Sequence, residues 1–327
     1  PEPEPDEALI KIYATTVTSG DVVDRAFNVS AWAWLPTRIL MGFRKPRREI
    51  PGSDLAGLIE SVGDDVKRFN PGDRVAVEPN IACDNCFNCL NNRHNFCLNW
   101  SAVGVTRPGG MEQYVSAPEK AVFDIGDIPF EHGAFVEPLS CVIHGVERLN
   151  PELASSILII GAGPIGILLL QVLRHYGAAE ITVVDKNPKR VNFASEMGAD
   201  TVAVDLNDLQ RDRYDAAVDA TGVLAVMSRS IDFVRHGGKV LLFGVPPIGE
   251  HITMEAFPIF RKGLTILSSF TSVRNSYQAL DLIKHKQISL EGMVSHRLEL
   301  AGFQNGIEIL ESGADNVKKV MIMPNGV

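Results

Sequence analysis

The sequence predicts an α/β chain in which a doubly wound parallel sheet is inserted into a mainly antiparallel β domain. Three observations predict it. Short apolar strands broken by Gly and Pro turns fill the chain up to residue 136, strand and helix alternate from 137 to 265, and a strand-like stretch, VKKVMIM, closes the sequence. At 327 residues, 45% of them apolar and 22% charged, the chain can bury two cores.

The elements follow in order. PEPEPDE is acidic and Pro-rich, which suits a solvated lead-in rather than a targeting segment. ALIKIYATTV, LAGLIESVG, DRVAVEP, GGMEQYVSA and AVFDI read as strands, with turns at Pro51-Gly52, Pro71-Gly72 and Pro108-Gly109-Gly110. Between the first two strands, Phe43 to Arg48 forms a basic run, expected to be a solvated loop and less readily a groove for an anion. Trp32 and Trp34 suit core packing or the wall of a substrate cleft. The middle unit reads ILIIGAG, a helix to His175, ITVVD, a helix through Ala194 to Met197, TVAV, AAVDATG, a helix, and GKVLLFG. A helix at Tyr277 to Lys286 and the closing strand are expected to return to the first domain. The domains are therefore 1–136 with 266–327, and 137–265.

A net charge of -9 argues against nucleic acid as the main partner, because phosphate binding needs clustered Lys and Arg. The longest apolar run, Ile157 to Leu173, holds three glycines and a proline and falls short of the roughly 20 residues a membrane helix needs. Five cysteines, four of them at metal-ligand spacing, fit a reducing cytoplasm better than a disulfide scaffold.

After the strand ILII comes Gly161-Ala162-Gly163-Pro164-Ile165-Gly166, and then an apolar helix. The first glycine permits the turn, the second lets a pyrophosphate approach the backbone, and the third lets helix and strand pack closely. Asp185 ends the next strand, nineteen residues past Gly166, where a carboxylate accepts hydrogen bonds from ribose hydroxyls and repels a 2'-phosphate. NAD is thus favoured over NADP, with Lys186 and Arg190 acting against that preference. The plainer alternatives are a glycine turn without a ligand and an ordinary surface acid at Asp185.

Cys83-x2-Cys86-x2-Cys89-x7-Cys97 can close a tetrahedral zinc shell of four thiolates, which leaves no open position for substrate. Buried or disulfide-paired cysteines are the alternative. With VEPNIAC, Gly109-Gly110, Val136-Glu137-Pro138-Leu139-Ser140, GAGPIG and Asp219-Ala220-Thr221-Gly222, this cluster resembles the medium-chain dehydrogenase/reductase superfamily, above all its zinc-containing polyol (sorbitol-type) dehydrogenases. Residues 9 to about 70 are more similar to the zinc-free, quinone-reductase-like branch, and the family usually begins with a further strand or two.

The resemblance implies a GroES-like catalytic domain carrying the structural zinc lobe at 83–97, an inserted Rossmann domain at 137–265, and dimers or tetramers formed through the edge of the nucleotide sheet. It also implies that Thr221 and Phe243-Gly244-Val245 line the nicotinamide half of the coenzyme site. In the family a catalytic zinc is held by the Cys of a motif resembling A-x-G-[VI]-C-G-[ST]-D, by the His of G-H-E, and by or near the Glu of E-P-L. Here Thr18 stands at the Cys position and Ser53 at the His position; Asp54 and Glu137 keep carboxylates, and no Cys or His precedes Cys83. Hydroxyls are poor zinc ligands beside thiolate and imidazole, so the second zinc is expected to be absent or weak.

The candidate catalytic residues are Thr18, Ser53, Asp54 and Glu137. Thr18 or Ser53 would donate to a developing oxyanion. His144 reads as a packed helix residue or a proton carrier, and Cys141 as an apolar filler. The expected function is NAD(H)-dependent hydride transfer to or from an alcohol, polyol or carbonyl. The alternatives are a zinc-independent quinone or enone reductase and a coenzyme-binding protein without turnover.

Overall fold

The computed structural model describes residues 2–18, 20–21, 50–313 and 317–326. Trp32, Trp34 and the basic run Phe43 to Arg48 lie outside them. The first sheet is built from β1 (Glu7–Val17), β2 (Leu55–Val62) and β3 (Arg74–Val77), with β4 (Asn80–Ile81) and β5 (Ser101–Ala102) forming a separate two-stranded ladder, and β6 (Tyr114–Pro118) and β7 (Val122–Asp124) returning to the large sheet. Strand β1 is its centre. Ala8, Ile10, Ile12 and Ala14 alternate inward at 0% exposure, and β1 pairs antiparallel with both β2 and β6.

The second sheet holds β8 (Ser156–Ile160), β9 (Glu180–Val184), β10 (Thr201–Ala203), β11 (Tyr214–Asp219), β12 (Val234–Leu242) and β13 (Thr265–Ser268), all parallel, in the order β10-β9-β8-β11-β12-β13. The order reverses between β8 and β11, which opens a crevice at the carboxyl ends of those strands. The expected limit of this unit at residue 265 falls inside its last strand, which runs on to Ser268. TILS lies mostly exposed at the sheet edge and lacks the buried apolar run that marks β8 and β9. The chain then returns to the first sheet as β14 (Val294–Glu299) and β15 (Lys319–Met323), and β15 pairs antiparallel with β1 through Thr16↔Met321.

Helices cover the parallel sheet: α1 (Val136–Leu149), α2 (Pro164–His175), α3 (Pro188–Glu196), α4 (Leu224–Arg229) and α5 (Ala256–Lys262), followed by α6 (Ser276–Lys284) and α7 (Phe303–Ser312). Helix α1 joins the two sheets. Its buried stripe of Val136, Leu139, Val142, Ile143, Val146 and Leu149 recurs at helical spacing and shares one apolar cluster with Ala14 and Ala56 of the first sheet and Ile157 and Ile159 of the second. Each such side chain contributes roughly 1.5–3 kcal/mol by leaving water, so α1 is seated between the sheets along that stripe.

Candidate functional site

The glycine turn lies at the crevice, and its three glycines are required for different reasons. Gly161 has φ +108°, and a Cβ there would meet Thr221 Cγ2 at 2.9 Å. A Cβ on Gly166 would lie 1.9 Å from the Gly161 carbonyl oxygen, so helix and turn touch backbone to backbone. Gly163 is extended, and nothing lies within 4 Å of where its Cβ would be. That open space adjoins the N-terminus of α2, where Pro164 occupies the first turn beside Ile165 and no side chain caps the helix, the setting in which backbone amides hold an anion.

Asp185, just beyond β9, accepts from the Ala162 N–H and the Asn187 N–H, both at 2.9 Å, with Arg190 Nη1 4.0 Å away. The Nε of Arg190 is buried with no hydrogen-bond partner, while Lys186 is exposed. On the far side of the crevice, the buried Asp219 carboxylate accepts from the Thr221 hydroxyl at 2.6 Å and the Gly222 N–H at 3.1 Å. A Cβ on Gly244 would lie 2.0 Å from the Gly222 nitrogen, and Phe243 closes on Gly145 of α1. Val245 is exposed. The predicted coenzyme residues thus meet around one crevice.

The cleft between the sheets is built from β1, the turn before β2, β15 and the first turn of α1. Asp54 is buried; its Oδ2 accepts from Thr16 Oγ1 at 2.6 Å and Lys319 Nζ at 2.9 Å, and its Oδ1 from Ser53 Oγ at 3.0 Å. Thr18 donates its hydroxyl to Asp21 Oδ2 at 2.8 Å, and its oxygen accepts from the Asp21 N–H at 3.2 Å. The hydroxyls of Thr18 and Ser53 therefore both point at carboxylates, Asp21 and Asp54. Each side chain serves its neighbouring acid.

Glu137 is half-buried in the first turn of α1 and accepts from the Cys141 thiol at 3.3 Å, one turn on. Burial first, and then the charges of Asp54 and Glu78, push its pKa well above the usual carboxylate range. A helix N-terminus favours an anion by only about 0.3–1 kcal/mol, which does not offset desolvation beside two carboxylates. The Cys141 thiol is likewise pushed well up by burial and then by Glu137, so it is a neutral donor with a polar partner and not a filler. His144 is buried in α1 with no partner for Nε2, and its pKa is lowered chiefly by burial. It is packed as a neutral ring.

The Sγ atoms of Cys83, Cys86, Cys89 and Cys97 all lie within 4.8 Å of one another. The N–H groups of Cys83 and Leu98 point at Cys97 Sγ and Cys86 Sγ at 3.2 and 3.4 Å, as donors around thiolate ligands do. These residues fit a zinc ion. Among the described residues theirs is the one cluster of three or more such groups that does. Among the described residues of the cleft, no set fits a catalytic zinc. Thr18 and Ser53 offer neutral hydroxyls that point at carboxylates, and Asp54 is paired with Lys319.

Several working residues escape sequence reasoning. Lys319 reads as an ordinary strand residue in VKKVMIM; its one signal is that it alternates with Met321 and Met323 on the same side of β15. Thr16 has no local signature, and Glu78 stands in the quoted VEPNIAC stretch with nothing local to show which groups it would meet. Among the described residues no helix is long and apolar enough to cross a membrane.

Residues 4–127 match the alcohol dehydrogenase GroES-like domain family, and residues 164–285 match the zinc-binding dehydrogenase family. D-altritol 5-dehydrogenase of Agrobacterium fabrum is 35% identical over 258 residues, 77% of this chain and 77% of that protein. D-arabinitol dehydrogenase 1 of Uromyces fabae is 30% identical over 288 residues, 84% of this chain and 82% of its own. A Sinorhizobium meliloti protein solved bound to NADP superposes with a TM-score of 0.87 at 29% identity, covering 99% of this chain and 94% of that one.

Proposed function

The chain belongs to the medium-chain dehydrogenase/reductase superfamily, with the zinc-binding, sorbitol-type dehydrogenases, and on that premise we propose that it interconverts a polyol or secondary alcohol and its carbonyl without a catalytic zinc. The observation that carries the metal-free reading is the donor set of the cleft, where Thr18 and Ser53 present hydroxyls that point at carboxylates and Asp54 is ion-paired with Lys319. The polyol class comes from the substrates named for the two sugar-alcohol dehydrogenases above.

A bound nicotinamide coenzyme supplies or takes the hydride. The chain's own residues hold and orient it: Gly161, Gly163, Pro164, Ile165 and Gly166 cradle the pyrophosphate, Asp185 meets the ribose, and Thr221, Phe243, Gly244 and Val245 line the nicotinamide half. In reduction, Glu137 gives its proton to the substrate oxygen as the carbonyl carbon is reduced; in oxidation its carboxylate takes the hydroxyl proton. Lys319 and Thr16 fix Asp54, whose charge adds to burial in raising the Glu137 pKa. Because burial and the neighbouring carboxylates raise the Glu137 pKa, its proton is kept to higher pH than on an ordinary carboxyl, and oxidation gains on reduction as pH rises. Steady-state assays with a sugar alcohol and NAD, and with a ketose or a quinone and NADH, test this. Tight NADH binding with no turnover on either arm would leave a coenzyme-binding scaffold.

Gly163→Val is expected to leave the fold intact, since its backbone is extended and the space beside it open, yet to weaken NADH binding about tenfold or more, about 1.4 kcal/mol, as read by fluorescence titration. Asp185 favours NADH over NADPH; the buried unpartnered Nε of Arg190 limits the margin, and the same titration measures it.

The assembly is a dimer or tetramer through β13. That strand ends the sheet, α5 has no buried residue, and Phe257, Phe260 and Phe270 stand 63%, 82% and 52% exposed beside it. A chain sedimenting only as a monomer would overturn it. Five cysteines with no disulfide fit the reducing cytoplasm.

A further inference from the structure

Glu78, directly after β3, is 7% exposed, and its carboxylate accepts hydrogen bonds from five donors, none of them charged. Oε1 accepts from the Asn80 N–H at 3.2 Å and Asn80 Nδ2 at 2.7 Å. Oε2 accepts from the hydroxyls of Ser140 at 3.2 Å, Ser272 at 2.9 Å and Ser276 at 2.8 Å. The three serines come from two distant segments. Ser140 sits on α1 three residues after Glu137, with its hydroxyl also shared with the Glu137 carbonyl at 2.7 Å; Ser272 and Ser276 lie where the chain leaves β13 and begins α6.

Holding a buried charge with uncharged hydroxyl and amide donors is a costly way to join three segments, since apolar side chains of similar volume would do it at less expense. It gives direction in return. Three hydroxyls reach one oxygen only if each segment stands at one place. Nor does dense packing offer a substitute on that side, where Glu78, Asn80, Ser272, Arg274 and Tyr277 border a cavity of about 340 Å³. The return stretch is also gripped from the cysteine lobe, by Asn95 Nδ2 on the Phe270 carbonyl at 2.8 Å and by Arg274 on Asp84 at 3.1 Å.

We propose that Glu78 is a positioning residue for the reaction: by gathering Ser140, Ser272 and Ser276 it fixes the first turn of α1, and so sets the Glu137 carboxyl against Asp54. The inference rests on the reading of Glu137 as the proton-transfer group for its meaning, but not for its test. Cys141 lies on the same face of α1, one turn past Glu137, and is the one cysteine outside the lobe. In zinc-loaded protein, its rate of alkylation by N-ethylmaleimide therefore reports how firmly that turn is held.

Ser272→Ala/Ser276→Ala keeps the Glu78 charge and removes its tie to the return stretch. Alkylation of Cys141 is expected to quicken about tenfold through local opening. The kcat should fall by about tenfold to 10²-fold with KM for the coenzyme unchanged, because a small misplacement of a reacting group costs that much. Ser272→Thr/Ser276→Thr, which keeps both hydroxyls, should restore both. If the alanine variant melts lower while alkylation and kcat stay at wild-type values, Glu78 is only a structural residue and the inference fails. If the wild-type chain turns over no substrate, the functional reading fails instead, and the alkylation rates still decide whether Glu78 holds α1.

Discussion

Glu137→Gln is expected to lower the rate of carbonyl reduction by about 10²–10⁴-fold, the usual contribution of a positioned proton donor, while leaving NADH binding unchanged. The amide fills the same space and accepts from the Cys141 thiol as the carboxyl does, but has no acidic proton to give. In the wild type, reduction should decline and oxidation should rise as pH climbs through the elevated pKa of Glu137. Stability carries the same signature. A carboxyl whose folded pKa is raised contributes stability that is fully present below the unfolded carboxyl's pKa and is lost as pH rises through the folded one. Glu137→Gln removes that loss, so the variant should gain on the wild type in Tm as the buffer is made more alkaline. A variant that reduces substrate within a fewfold of wild type would remove Glu137 from the chemistry.

Removing zinc from the cysteine lobe, by chelation under reducing conditions or by Cys97→Ser, is expected to unfold residues 83–97 while the coenzyme crevice survives. The lobe has no apolar core to fall back on: Cys89, Asn95 and Cys97 are buried, whereas Phe87, Leu90 and Leu98 are 69%, 71% and 72% exposed. Structural zinc contributes roughly 10 kcal/mol or more in small zinc peptides, which is more than a few loop hydrogen bonds of about 1 kcal/mol each can replace. Limited proteolysis should cut within the lobe after chelation, with NADH binding retained because β8, β9, β11 and β12 build that site without it. A metal-stripped lobe as protease-resistant as the loaded one would contradict the assignment.

The parts legible in the sequence are those whose physical requirement is local. Three glycines spaced as Gly161, Gly163 and Gly166 between a strand and a helix announce the crevice, and four cysteines in fifteen positions announce the metal lobe. The missing ligands at Thr18 and Ser53 were equally plain, but their hydrogen-bond partners were not, because a hydroxyl's partner depends on where neighbouring carboxylates point. The Lys319–Asp54 pair joins residues 265 apart in the chain, and Glu78 collects serines from both sides of the parallel unit. No periodicity encodes such meetings; they follow from β15 returning beside β1 and from α1 lying between the sheets. β13 escaped because an edge strand of four residues has too little buried surface to show a pattern.

The central claim is that this chain keeps zinc where it shapes the fold and works without it where hydride moves. Elemental analysis of purified protein, paired with anomalous scattering from its crystals, tests this most directly. The account predicts about one tightly held zinc per chain, surrounded by Cys83, Cys86, Cys89 and Cys97, with no anomalous peak between Asp54 and Glu137. A second ion seated between those two carboxylates at comparable occupancy would contradict it.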